Sequence, residues 1–476
     1  MGGQVKRIRL SNTGLSVAVT VLALWSPPAW TQEASRSSDV ASAAESSIDF
    51  LRAYELALEA DPTWLAAQAR QRADAQERAI ARASLRPNLS YSYDRARNWS
   101  DITQAQPTGD ISRDMTYDSY SSSFTLSQSL FNAAAGAGYR AGAARADAAE
   151  FTQERVRQAL AVRVLQAYTD LLYAIDDLKL AEAHAAALDE DLRRVDRFVL
   201  LGEGTRTDRA EVEARQHIAT AQVLEARDRL RSARNAVRIL TGPVSLRDPA
   251  PLADSCLHLA GPSEPLDLWR ERLLAHNPEL AAQRSLVEAA EAQVDQQRAR
   301  GLPTVAAFAR HRNSDSDGEN VIGQHFKTTT VGIQVRVPLY SGGGVTASTR
   351  QARSALEEAQ YELAAARFQL VDDLEAQFNL VDMSPRRIEA YSQAAAAAKE
   401  RLRATRRSIV GGERTNLDAL DAERQRLEAL RDLARARYDY LLAWLSLRWQ
   451  AGTLDDDAIK RVGGCFGASP RPSTFP

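Results

Sequence analysis

Apolar residues recur along this 476-residue chain at the spacing of a coiled-coil seam, three, four or seven positions apart. Residues 143–201 contain neither glycine nor proline, which predicts an unusually long helix. In the second half, Pro385 is expected to kink or break the corresponding helix. The recurring positions are Leu188, Leu192, Val195 and Val199, then Leu356, Leu363 and Leu370, then Leu420, Leu427, Ala434 and Leu441.

Two other segments, "DSYSSSFTLSQSLF" and "TTTVGIQVRVPLY", alternate with the period of two of a β-strand. One face of each is largely apolar, whereas the reverse face is mostly serine, threonine or another polar residue. Such a pattern suits a barrel wall with lipid outside and water inside. The apolar positions are Tyr120, Phe124, Leu126 and Leu130 in the first segment and Val331, Ile333, Val335, Val337 and Leu339 in the second.

The segments that precede these two, "NLSYSYDRARN" and "TVAAFARHRN", alternate less regularly, which gives about four strands in the chain. Membrane-spanning strands must close into a barrel, and the smallest common barrels have about eight strands. The chain is therefore expected to assemble, and a trimer would supply twelve strands. The alternative is a soluble pair of hairpins packed on helices. Candidate residues for an aromatic girdle at the membrane interface are Tyr91, Tyr93, Trp99, Tyr117 and Phe308.

The chain is a tandem duplication, with copies at residues 48–242 and 264–452 and a proline-rich linker at 243–263. Each copy has a short helical segment, two strand-like segments, a long helical segment, a sharp turn and a return helix. At about 1.5 Å per residue the long helix spans ~100 Å, as do the two shorter segments end to end. Because the lengths match, the two shorter helices can stack end to end beside the long one, which predicts the wall of a cylinder. A soluble coiled-coil rod is the alternative.

The N-terminus has the layout of a secretory signal, with a basic start, an apolar core from Leu15 to Trp25 and a small, polar end. Residues 1–34 are therefore assigned to a signal peptide, a buried N-terminal helix being the alternative, and residues 453–476 form a C-terminal tail. A formal net charge of −2 gives no general attraction to nucleic acid. Two cysteines and six histidines argue against a structural zinc site, and no enzyme motif occurs in usable context.

These features together resemble the TolC family of outer-membrane efflux and secretion channels in Gram-negative bacteria. The resemblance covers about residues 48–455. It implies a mainly α-helical fold with β-strands, in which a trimer forms a 12-stranded transmembrane β-barrel continued by a 12-helix periplasmic α-barrel. The pieces that carry it are "NPELAAQ" from Asn277, "SQSLFN" from Ser127, "VPLYSGGG" from Val337, "LLGEGTRTD" from Leu200 and "VGGERTNLDALDAERQ" from Val410.

The resemblance implies an exit duct for type I secretion of a toxin-like protein, with the exporter of adenylate cyclase–haemolysin toxins as a possible near relative. The implied partners are a periplasmic membrane fusion protein, an inner-membrane transporter of the ABC type, outer-membrane lipid and the exported protein. No nucleic acid, cofactor, metal or catalytic residue is expected. Small-molecule efflux stays open as an alternative, as does a soluble periplasmic coiled-coil scaffold.

Each copy carries a Gly-x-x-Thr turn, and the resemblance makes these turns the helix-hairpin tips that dock the adaptor. The candidate residues are Gly202, Thr205, Gly412 and Thr415. Glycine suits a reversal between helices because such turns often require a positive φ. These residues could also serve only to form the turns.

One turn beyond the second tip, Asp418 and Asp421 lie three positions apart on one helix face. In a trimer they resemble the acidic rings that narrow the family's periplasmic entrance. The alternative is a solvated helix face. The resemblance makes Arg414 a gate residue that bonds positions equivalent to Thr207 and Asp208 on the neighbouring tip, with Ile409 in place of the family's gate tyrosine.

The two cysteines, Cys256 and Cys465, follow Gly242 and Gly452 at nearly equivalent places in the duplication. An exported protein can oxidise such a pair. A disulfide between them is a hypothesis, and two free thiols are the alternative.

Overall fold

The computed structural model describes residues 49–104, 107, 109–243, 249–253, 264–318, 321–411 and 413–467. The assigned signal peptide lies outside this part of the chain, as does most of the linker. In chain order the elements are α1 (Phe50–Ala60), α2 (Pro62–Asp74), α3 (Gln76–Ala83), β1 (Asn88–Gln104), β2 (Ile111–Phe131), α4 (Ala133–Leu200), α5 (Arg206–Thr241), α6 (Leu266–His276), α7 (Pro278–Ala299), β3 (Thr304–Asp315), β4 (His325–Arg336), α8 (Gly344–Val410), α9 (Asn416–Gln450) and α10 (Asp456–Gly463).

The short helical segment of each repeat is divided where a capping residue meets a proline. Asp61 ends α1, and its carboxylate accepts the backbone N–H of Trp64 at 3.1 Å, with Pro62 at the start of α2. Asn277 plays the same part between α6 and α7, where its amide oxygen accepts the N–H of Glu279 at 2.8 Å. Proline has no N–H to lose at the first helical position, so the break costs little there.

The long helices α4 and α8 contain 68 and 67 residues, as the spacing predicted. The predicted seam of α4 packs into an apolar cluster with Val212 and Ala219 of α5 and Leu420 of α9. Pro385 does not break α8, which is continuous through it. Tertiary packing offsets the lost backbone hydrogen bond, since Val381 and Ser384 beside it are buried.

The four strands form one antiparallel sheet in the order β1–β2–β3–β4, with hairpins between β1 and β2 and between β3 and β4. The register places the apolar side chains on one face, where Tyr91 lies opposite Phe124 and Ala309 lies opposite Val331. That face is open: Val331 is 77% exposed and Leu89 is 67% exposed. We call it the apolar face, and the reverse the polar face.

Two residues proposed for the aromatic girdle lie on the polar face instead. Tyr117 pairs with Asn98, and Phe308 pairs with Ser127 and Gly332, so both alternate with the serines and threonines. A Cβ added to Gly332 would lie 3.0 Å from the Phe308 ring, which shows that the ring covers the glycine. The glycine therefore accommodates an aromatic side chain on a face that is mostly polar.

The main apolar core joins the helices of both repeats with the C-terminal segment. Tyr168 of α4 is fully buried, and its hydroxyl donates to the carbonyl of Ala250 at 2.9 Å. The ring of Phe466, just beyond α10, meets the Tyr168 ring edge-on at 5.0 Å. The described part of the C-terminal tail is thus packed into the core. None of the described helices combines the length and apolarity that a membrane-spanning helix requires.

We expect Gly452→Ala to lower the free energy of unfolding by about 3 kcal/mol, against about 1 kcal/mol for Gly242→Ala at the equivalent place in the first repeat. Both glycines have a positive φ, of 70° and 78°. A Cβ at Gly452 would lie 2.5 Å from the carbonyl oxygen of His276, whereas one at Gly242 would meet only the Ala60 side chain at 3.3 Å. Urea unfolding followed by circular dichroism tests this, and equal losses would contradict it.

Candidate functional site: the helix-hairpin tips

The first tip reverses the chain between α4 and α5 over five residues. The backbone N–H groups of Glu203 and Gly204 both donate to the carbonyl of Phe198, at 2.9 and 3.1 Å. Gly202 has a φ of 78°, a conformation in which a side chain is strained. A Cβ at Gly204 would lie 3.1 Å from the backbone nitrogen of Val199. The turn therefore depends on both glycines.

Thr205 follows as the N-cap of α5, its hydroxyl accepting the N–H of Asp208 at 3.1 Å. This cap explains the threonine of the Gly-x-x-Thr pattern, since an N-cap hydroxyl satisfies one of the free donors of a helix start. Thr207 and Asp208 are both exposed on the first turn of α5.

The second tip has the same design with a stronger cap. Glu413 donates its N–H to the carbonyl of Ser408 at 3.0 Å, although Gly412 lies outside the described residues. Thr415 and Asp418 form a reciprocal capping box: the N–H of Thr415 donates to the Asp418 carboxylate at 2.9 Å, and the N–H of Asp418 donates to the Thr415 hydroxyl at 3.3 Å. The box fixes where α9 begins.

The Asp418 carboxylate is a structural acceptor within its own chain. Hydrogen bonds from the backbone and hydroxyl of Thr415 lower the pKa of Asp418 below its usual value, and Arg414, 3.6 Å away, lowers it further. Because the folded pKa is depressed, the cap contributes its full stability above the usual pKa of 3.8 and loses it as the pH falls through the lower folded value. The residue is charged at neutral pH.

Asp421, the other predicted acidic residue, forms an ion pair between the two repeats. Its carboxylate accepts from the Arg215 guanidinium of α5 at 2.9 Å, and Arg215 also bonds Glu211 at 2.8 Å. Both partners are part-buried. Beside them Leu420 packs into the apolar cluster of α4 and α5. We call the Arg215–Asp421 pair the clasp, because it joins the return helices α5 and α9 close to both tips.

Arg414 is placed beside Asp418, and no described ion pair links it to Asp208 within the chain. The bond expected from the resemblance runs between neighbouring subunits, so it stays a prediction. Ile409, in the last turn of α8, is partly exposed.

Two exposed leucines at the first tip escaped the sequence analysis. Leu200 is 85% exposed and Leu201 is 71% exposed, at the end of α4. Both lie outside the predicted seam, which ends at Val199. Their position outside this spacing could have predicted that they are exposed. Together they form a small exposed apolar surface at the tip, which is a candidate contact for another protein. Arg215 was also missed, because nothing in the sequence relates it to a residue 206 positions away.

Cys465 is buried just beyond α10, whereas Cys256 lies outside the described residues. Their pairing therefore stays a prediction. Within the described residues no cluster of histidine, cysteine, aspartate or glutamate could hold a metal ion.

Similarity to known proteins identifies the family of the chain. The sequence model described as "Outer membrane efflux protein" matches residues 53–243 and again residues 269–453. The chain belongs to this family. Membership places it in the outer membrane as a transport protein, with its helical domain in the periplasm.

Two relatives in the family are similar over nearly their whole length. The chain is 40% identical to the alkaline protease secretion protein AprF of Pseudomonas aeruginosa, over 90% of this chain and 89% of AprF. It is 39% identical to the proteases secretion protein PrtF of Dickeya chrysanthemi, over 88% and 91%. The crystal structure of CusC has the same fold, with a TM-score of 0.73 at 17% identity over 85% of this chain and 92% of CusC.

Proposed function

We propose that three copies of this chain form the outer-membrane exit duct of a type I secretion machine. Their sheets close into a 12-stranded barrel through the membrane, and their helices continue it as a 12-helix barrel in the periplasm. The chain acts as a conduit and catalyses no reaction. Its two repeats occupy residues 48–242 and 264–452, joined by the linker at 243–263, after removal of the leader at 1–34.

The observation that carries the proposal is the sheet. Its first and last strands, β1 and β4, each have one edge without a partner among the described residues. Unpaired edges and an exposed apolar face are each unfavourable for a chain alone in water. Joining β4 of one copy to β1 of the next satisfies the edges, and lipid covers the apolar face. This arrangement disfavours the soluble scaffold.

The helices support the same assembly. Each chain contributes the two long helices α4 and α8, with α5 and α9 running back beside them from the tips. In cross-section near the tips this gives four helices per chain and twelve per trimer, the number needed to continue the strands. The seam packing of Leu188 and Val195 against α5 is the repeating unit of such a wall.

The partners follow from the relatives and from the tips. AprF and PrtF are described as protease secretion proteins. We therefore infer that the exported protein is a protease rather than the toxin first expected. Gly202, Thr205, Gly412 and Thr415 shape the tips, and Leu200 with Leu201 offers an apolar contact to the periplasmic adaptor. That adaptor in turn connects to an inner-membrane transporter of the ABC type.

Replacing AprF in Pseudomonas aeruginosa with this chain is expected to restore alkaline protease in the culture medium. The double variant Leu200→Asp, Leu201→Asp is expected to lose secretion, because charge at the tip removes the apolar contact. The matched control, Leu200→Met with Leu201→Met, keeps an apolar surface of similar volume and should secrete normally. Outer-membrane fractionation and a heat-sensitive oligomer on gels establish that each variant is assembled.

Normal secretion by the double aspartate variant would show that the two leucines do not dock the adaptor. An assembled wild-type chain that secretes no protease but restores resistance to toxic dyes would favour small-molecule efflux. A wild-type chain found only in the soluble periplasmic fraction would contradict the channel itself.

A further inference from the structure

Charge is distributed unequally between the two faces of the sheet. Within the strands, the polar face carries four arginines and one aspartate, whereas the apolar face carries three basic and four acidic residues. The polar face is therefore positive by three charges per chain and the apolar face negative by one. The polar-face residues are Arg113, Arg310, Arg312, Arg336 and Asp94, and the apolar-face residues are Arg95, Arg97, Lys327, Asp101, Asp114, Asp118 and Asp315.

One of the four arginines is neutralised from outside the strands. Arg312 donates to the carboxylate of Asp317, in the β3–β4 connection, at 2.5 Å. Counting Asp317, the polar face retains an excess of two positive charges per chain, which is six in a trimer. The charged side chains of the polar face are all exposed, so they are accessible to a molecule that lies against this face.

Arg310 lies in the middle of β3, between uncharged neighbours on both adjacent strands. Its cross-strand neighbours on both sides are threonines, Thr125 on β2 and Thr330 on β4. Its guanidinium donates from Nε to the Thr125 hydroxyl at 3.3 Å, which holds it along the sheet. Among the residues that the structure describes, no carboxylate pairs with Arg310. Its remaining N–H donors are free to meet a carboxylate from another molecule.

We propose that the polar face is a binding surface for acidic polypeptides, centred on Arg310. This rests on the proposed function, in which the polar face lines the lumen. Three copies place Arg310 and Arg336 around one axis. Guanidinium groups bind carboxylates through two parallel hydrogen bonds. Because the charges are exposed and separated, each contact is weak, and a chain of carboxylates passes from one to the next instead of binding permanently.

Polyglutamate block of single channels tests the proposal. The purified protein is added to one side of a planar lipid bilayer at low salt. Poly-L-glutamate is added to the opposite side, where the β-barrel opens. Polyglutamate should block the wild type, and Arg310→Gln should raise the half-blocking concentration about tenfold, since three exposed charge contacts are lost. Arg310→Lys should retain most of the block. Arg336→Gln should also weaken the block, because it removes a second arginine of the polar face.

Lys327→Gln is the matched control, because it removes one positive charge from the same hairpin on the apolar face. It should block like the wild type, and neutral polyethylene glycol of similar size should act equally on all variants. Equal block of Arg310→Gln and wild type, or equal weakening by Lys327→Gln, overturns the inference and leaves the channel intact. A wild type without conductance overturns the proposed function and this inference with it.

Discussion

Replacing Arg155 with alanine is expected to lower the free energy of unfolding by about 4 kcal/mol, a large loss for one side chain. Arg155 lies in α4 and is only 9% exposed. Its guanidinium donates to Glu279 of α7 at 3.1 Å, to the carbonyl of Trp449 at 2.8 Å and to the side-chain oxygen of Gln450 at 2.8 Å. One side chain thus joins three helices from both repeats.

The size of the effect comes from what the substitution leaves behind. The buried side-chain oxygen of Gln450 would lose its charged donor, and a buried acceptor without a partner is costly. The carbonyl of Trp449 would keep the N–H of Gly452, which donates to it at 3.2 Å. The guanidinium also lies 3.8 Å from the centre of the Trp449 ring, so its removal opens a cavity there. Burial lowers the pKa of Arg155 while Glu279 raises it, which marks the site as partly desolvated.

Arg140→Ala is the matched control, because it removes another ion pair between the same helices α4 and α7. Arg140 bonds Asp295 at 3.0 Å, but the two side chains are 60% and 52% exposed. An exposed pair contributes less than about 1 kcal/mol. Urea unfolding of both variants in the same detergent measures the difference. Comparable losses would show that Arg155 does not hold the repeats together.

The fold could be predicted from the sequence because its elements are repetitive. A seam such as Leu188 to Val199 reports a helix face over many turns. The alternation of serine and threonine with apolar residues in β2 likewise predicts a strand with two different faces, which the register confirms. The turns were predictable for the same reason, since Gly202 and Thr205 have local roles in backbone conformation and capping.

What could not be predicted depends on contacts between distant parts of the chain. Nothing in the pattern of α4 distinguishes the buried Arg155 from the exposed Arg140, because the difference lies in what α7 and α9 place around each. Phe308 was assigned to a girdle from its residue type, but its face follows from the register of β3 with β4 and from the space over Gly332. The ion pair of Asp421 could not be predicted either, because its partner Arg215 lies in the other repeat.

Opening the clasp is expected to raise single-channel conductance severalfold. The carboxylate of Asp421 and the guanidinium of Arg215 connect α9 to α5 at 2.9 Å, near the end of the helices where the periplasmic mouth would form. Arg215→Ala and Asp421→Ala each remove the ion pair between the two return helices, leaving the apolar packing of Leu420 against α5. Planar-bilayer recordings measure the change. The double variant should match the single variants, because either substitution removes the whole contact.

Arg209→Ala is the matched control for the clasp. Arg209 also bonds carboxylates near the first tip, Asp196 at 2.7 Å and Glu213 at 2.8 Å, but both partners belong to the same repeat. Its loss should leave conductance unchanged. Exchanging the charges, with Arg215→Asp and Asp421→Arg together, should restore the wild-type value. Unchanged conductance in Arg215→Ala would show that the clasp does not restrict the mouth.

The clasp also changes what the acidic residues can do to cations. With Arg215 paired to Asp421 and Thr415 bonded to Asp418, neither carboxylate is bare in this conformation. Arg215→Ala uncovers Asp421, and in the proposed trimer three uncovered carboxylates around one axis would attract divalent cations more strongly. We therefore expect block by Mg²⁺ from the periplasmic side to strengthen in Arg215→Ala and to weaken when Asp418 and Asp421 are both alanine. Identical Mg²⁺ block in these variants would exclude both aspartates from the constriction.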